Sequence, residues 1–202
     1  MRLSMLYQPS AIALWVGSLI SVVLDQWSKS AMFTKLYPGE GSYPDSPSQL
    51  YHSPEVITSW FNLKLIGNKG AAWGIFRDLP ETYRVPFFVL LSIIAMGILL
   101  TLYFKSEGQR LQQSALILIF GGAIGNLIDR VQIGYVIDFI DWHYNDYHWP
   151  TFNVADISIS VGVGLLIIDM ILQSIALSKE NHSEITEDHS KKTDAKSDPE
   201  AN

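Results

Sequence analysis

The chain has 202 residues, of which 48% are hydrophobic and none is cysteine. The length admits one ordinary domain, and the lack of cysteine excludes disulfides, thiolate nucleophiles and cysteine-based zinc sites. Much of the formal net charge of -6 comes from a C-terminal tail, and no basic patch interleaved with aromatics supports nucleic-acid binding.

In chain order, the first apolar run covers about 11–33 and contains Asp25 and Lys29. Read as a signal peptide with Arg2 as its basic flank, it lacks a small-residue cleavage site after Leu24, and three more apolar runs follow. The segment 34–84 is broken by Pro38, Pro44, Pro47 and Pro54. Within it, 56–66 is rich in β-branched and aromatic residues, which predicts one or two strands before a turn at Gly67 and Gly70. The runs at about 85–104, 111–129 and 154–177 complete four stretches near the roughly 20 residues that cross a bilayer. The tail, 179–202, is polar, acidic and free of aromatics, and is expected to be disordered.

The fold class is therefore a mainly α membrane protein: four transmembrane helices in a domain 1–178, with a small extracytoplasmic β/loop subdomain. The short connection between the second and third spans carries Lys105 and Arg110. Positive charge on short loops faces the cytoplasm, which places both termini inside and the two long connections outside.

Span alternation brings Asp25, Asn126, Asp129, Arg130, Asn153 and Asp156 to one membrane level, with Asp138 in the nearby loop. Ionisable groups at such depth pair, neutralise or face a polar interior. Most have an ordinary structural reading too. Asp25 pairs with Lys29 at helical spacing, Asp129 and Arg130 start a loop, Asn153 caps the fourth span, and Asp156 suits its helix dipole. Asp138, inside the apolar run YVIDFI, has the weakest such reading, whereas Asp169, deeper and alone, is structural or bundle-facing. Asp141, His143, Asp146 and His148 lie in an aromatic loop that reads as an interfacial belt, and their spacing matches no usual zinc pattern. No metal and no cofactor is expected.

GGAIGNLIDR at 121–130, VIDF at 136–139 and FNVAD at 152–156 resemble the ordered signature of the lipoprotein signal peptidases, or signal peptidase II. DQWSK at 25–29, with Ser28 where Thr is common, and NKGAAWG at 68–74 are similar to two further motifs of that family. The resemblance covers about 10–177. It implies a bacterial inner-membrane aspartyl peptidase that cuts diacylglyceryl-modified prolipoproteins before the lipid-bearing cysteine. On that resemblance Asp138 and Asp156 are the catalytic pair; Asn68, Asn126, Arg130 and Asn153 line the site; and Asp25 supports it. The implied partners are lipid-modified prolipoproteins and membrane lipid, with the chain working as a monomer. Two carboxyls sharing a site suit amide hydrolysis, since one is neutral while the other is charged near neutral pH. The rival reading is an ion- or proton-coupled transporter, which also uses intramembrane carboxylates. Its usual inverted repeats are absent from this sequence.

Overall fold

The computed structural model describes residues 9–39, 42–50, 55–70, 76 and 78–194. Its four long helices are α1 (Pro9–Leu36), α2 (Glu81–Lys105), α3 (Arg110–Ile133) and α4 (Val154–Asp194). Each is long and apolar enough to cross a membrane. Large apolar side chains such as Leu24, Leu90, Ile98 and Ile171 point outward from the bundle. In water this would be an aggregation surface; in hydrocarbon it is the expected exterior.

Helix α3 is central and packs against the other three. Gly121, Gly122 and Gly125 make that approach possible. A Cβ on Gly125 would lie 2.5 Å from Asp25 Oδ2 and 3.4 Å from Ala155 Cβ, so α1, α3 and α4 meet there with no room for a side chain. Lower in the bundle, Leu14, Tyr103, Leu116 and Phe120 form an apolar core.

At the other end of the bundle sits a small sheet. Its strands are β1 (Glu55–Thr58), β2 (Phe61–Asn68), β3 (Val136–Tyr144) and β4 (Tyr147–His148), in the order β1-β2-β3-β4 with antiparallel neighbours. The long connection after α1 thus pairs with the connection after α3, and the sheet closes over the ends of both. A second core of Leu50, Leu65, Tyr135, Ile137 and Phe139 fixes it to Phe33 and Leu36 of α1.

Three local readings change. Asp138 belongs to a strand, not to a loop. Gly67 continues β2, paired with Ile137, instead of starting a turn; glycine is needed there for close approach, since a Cβ would overlap Pro47 of the short 3-10 turn Pro47–Gln49. The backbone of 179–194 is helical, although disorder is expected from 179 onward. No glycine or proline occurs there to stop α4, and helix formers are common.

Candidate active site

Strand β3 explains the position of Asp138 by simple alternation. Val136, Asp138, Ile140 and Trp142 face a cavity, while Ile137 and Phe139 face the sheet core. The cavity has a volume of about 1330 Å³. Asn68, Asn126, Arg130 and Asp156 line it together with Asp138. The rest of its wall is largely apolar, including Trp149, Phe152, Ile157 and Val161.

Asp138 is 2% exposed. Its Oδ2 accepts from Asn68 Nδ2 at 2.9 Å and its Oδ1 from Asn153 Nδ2 at 2.7 Å. Burial, and next the nearby charge of Asp156, push its carboxyl up to about 8. The two amide donors work against that shift without reversing it.

Asp156 is held by the way α4 begins. Asn153 is the residue before the helix, and its Oδ1 accepts from Asp156 N at 3.0 Å. In return Asp156 Oδ2 accepts from Asn153 N at 3.2 Å. This is a reciprocal capping box with aspartate in the place usually taken by Glu or Gln. Asp156 Oδ1 accepts from Asn126 Nδ2 at 2.9 Å. Asn153 therefore touches both carboxylates, one through its side-chain amide and the other through its backbone amide. It also donates to Asn126 Oδ1 at 3.1 Å, which closes the polar ring.

Behind this ring lies a buried ion cluster. Lys29 Nζ is 2.8 Å from Asp25 Oδ2, 2.9 Å from Asp129 Oδ2 and 3.1 Å from Asn126 Oδ1. Asp25 Oδ1 accepts from Ala155 N at 2.9 Å, one residue before Asp156. Asp129 Oδ2 accepts from Ile137 N at 3.0 Å, one residue before Asp138. A single ammonium thus anchors two carboxylates, each of which pins the backbone beside one member of the pair. Gln26 Nε2 adds bonds to Asp25, Gly125 O and Asp129.

The residues named from sequence fall into two groups. Asn68, Asn126 and Arg130 line the cavity with the aspartates. Asn153 and Asp25 are fully buried and support from behind, so Asn153 holds the pair without lining the space. The Arg130 guanidinium donates to Gly70 O at 3.2 Å and lies over the Phe88 ring, 4.9 Å from its centroid. Of the motif at 68–74, residues 71–74 lie outside the described ones. Sequence reasoning undervalued Lys29 and Asp129. The Asp25–Lys29 pair is buried, and an ammonium at that depth is itself a signal that more than one carboxylate is needed. Asp169 takes no part; it accepts from Gln173 along α4.

Paired carboxylates opening on a largely apolar cavity, at one end of four membrane-spanning helices, form the arrangement of a membrane-embedded aspartyl peptidase. The family model for signal peptidase (SPase) II matches residues 18–172, and the chain belongs to that family. The lipoprotein signal peptidase of Geobacter sulfurreducens is 45% identical over 152 residues, covering 75% of this chain and 86% of the relative. That of Geobacter metallireducens is 40% identical over 163 residues, covering 80% and 92%. A bacterial membrane enzyme solved by the in meso method at 2.3 Å resolution superposes with a TM-score of 0.66 at 32% identity, over 80% of this chain and 89% of that one. The transporter reading finds no support in these matches.

Proposed function

We propose that Asp138 and Asp156 together hydrolyse the peptide bond that joins a signal peptide to a lipid-modified protein. The chain is an aspartyl endopeptidase of the signal peptidase II family, and it removes signal peptides from prolipoproteins. The observation that carries the assignment of the pair is their shared tether: Asn153 donates to both, and both face one cavity.

In the proposed reaction the pair shares one proton, which rests on Asp138. The partner carboxylate takes a proton from water as its oxygen attacks the scissile carbonyl. Asp138 hydrogen-bonds the developing oxyanion. The C–N bond then breaks, and the departing nitrogen is protonated from the pair. Asn68 and Asn126 orient the two carboxylates without adding charge, and Arg130 lies within reach of substrate backbone along the same wall.

The apolar wall beside Ile157 and Val161 is suited to an acyl chain entering from the bilayer, so the bond cut is the one before a diacylglyceryl-modified cysteine. The site lies near the extracytoplasmic face of a bacterial inner membrane, with both termini cytoplasmic, and the chain acts as a monomer. The test is cleavage of a lipidated prolipoprotein by the purified protein. Asp138→Asn and Asp156→Asn are each expected to lower the rate by at least about 1000-fold while the helices stay folded, the order expected when acid–base chemistry is removed. Full activity in either folded variant would end the two-aspartate mechanism. Equal cleavage of unlipidated substrate would end the lipid assignment alone.

A further inference from the structure

The face of the sheet turned away from the cavity carries a second polar cluster. Asn62 and Lys64 of β2, Asp141 and His143 of β3, and His148 of β4 share that face. The register explains it: Asn62 pairs with Asp141 and His143 with His148, while alternation adds Lys64 and links Asp141 to His143. One oxygen of Asp141 and one ring nitrogen from each of His143 and His148 all lie within 4.8 Å of one another. Sequence spacing hid this, because the hairpin turn at Asn145 and Asp146 folds His148 back beside His143. Asp146, grouped with these residues in sequence, stays outside the cluster.

A second observation points the same way. Asn62 is 6% exposed, and its Nδ2 donates to Asp141 Oδ2 at 3.1 Å. Its Oδ1 is buried with no hydrogen-bond partner. A buried carbonyl oxygen without a partner is costly and asks for a donor or a cation. The Asn62 amide borders the cluster through its nitrogen, which also lies 3.4 Å from His143 Nδ1.

We infer that Asp141, His143 and His148, with the Asn62 amide bordering them, form a binding site for one borderline transition-metal dication such as Zn²⁺, separate from the aspartate pair. Two imidazoles and a carboxylate are a donor set that suits Zn²⁺ and Ni²⁺ and leaves a position for water. Asp141 would serve as the anionic ligand, and its oxygens already lie within hydrogen-bond distance of Lys64, His148 and Asn62. Lys64 is the competitor: its Nζ sits 2.7 Å from Asp141 Oδ1. The ion must displace that ammonium, whose side chain is 13% exposed and has a route to solvent. Once bound, the ion would join β3 to β4 behind Trp142 and Trp149, two residues of the cavity wall.

The test is calorimetric titration of Zn²⁺, and separately Ni²⁺, into the full chain in detergent, metal-free and without a polyhistidine tag. Saturable binding of one ion per chain is expected. His143→Ala and His148→Ala should each weaken it by at least about tenfold. Lys64→Gln should strengthen it, a gain that a misfolded protein would not give. Asp146→Asn should leave it unchanged. Absence of saturable binding would overturn the inference. So would binding that survives in His143→Ala and His148→Ala but is lost in Asp138→Asn, since the ion would then sit on the aspartate pair.

Discussion

At the scale of single residues, the position of one proton governs the proposed chemistry. Burial and the charge of Asp156 hold the Asp138 carboxyl up to about 8, above its ordinary value of 3.8. The protonated form is therefore present below about pH 8 and is lost as pH rises through that value. kcat/KM is expected to fall about tenfold per pH unit on the alkaline side, and a profile that stays flat well beyond it would remove Asp138 as the proton carrier. Stability follows the same sign: the folded chain binds this proton where the unfolded chain does not, so the contribution of this group declines as pH rises from 3.8 to about 8. Lys29 poses a different problem. It and its two carboxylate partners are almost wholly buried, and such a cluster adds little net stability over a well-packed apolar one. Removing one member is another matter, because Lys29→Met leaves two uncompensated buried carboxylates. That variant is expected to lose about 3–5 kcal/mol in thermal or denaturant unfolding. Unfolding at the wild-type midpoint would show that the cluster is not closed as described.

At the scale of elements, the start of α4 combines two functions in Asn153: it caps the helix and it ties the aspartates together. Substitutions separate them. Serine caps well, whereas alanine does not, and loss of the cap costs about 1 kcal/mol. Either substitution also removes the buried Nδ2 donor, so each variant is expected to unfold below the wild-type midpoint, Asn153→Ser above Asn153→Ala. Both lose the Nδ2 donor to Asp138, so both should lower kcat/KM by at least about tenfold. A fully active Asn153→Ser would assign the residue to capping alone. Gly125→Ala tests the helix junction: its Cβ would meet Asp25 Oδ2 at 2.5 Å, a crowding expected to cost about 1–3 kcal/mol in unfolding free energy. These elements differ in how far sequence reveals them. The four helices are legible because a long apolar run has few other meanings. Strand β3 is not, because both of its faces are buried from Val136 to Phe139. No apolar-polar alternation marks it, and the Asp138 that breaks the run reads as an anomaly until the cavity appears. Motif order singled out the two aspartates as the proposed pair, but the bonds through Asn153 and Lys29 join residues from α1, α3, β3 and α4, and one-dimensional spacing carries no such information.

At the scale of the whole molecule, the proposed chemistry is confined to one end of the bundle. The aspartates, the asparagine ring and the ion cluster all lie where α1 and α3 end and α4 begins, under the sheet. Helix α4 then runs away from them as a span to Lys179 and continues to Asp194. The match to the signal peptidase II model stops at residue 172, before that extension. With a rise of about 1.5 Å per residue, Lys179 lies roughly 35 Å along the helix from Asp156. Nothing beyond it reaches the cavity through α4 except by moving the span itself, and the span is fixed above that point by packing on α3, where Gly162 meets Ala115 O closely enough to exclude a side chain. Ending the chain after Lys179 is therefore expected to leave kcat/KM for a lipidated substrate within about twofold, and the unfolding midpoint of the membrane domain nearly unchanged, as for changes at independent, distant sites. A large fall in kcat/KM with the midpoint preserved would give the extension a role in delivering substrate or a partner. A fall in both would mean that α4 relies on its continuation to hold its place in the bundle, and through it the capping box that positions Asp156.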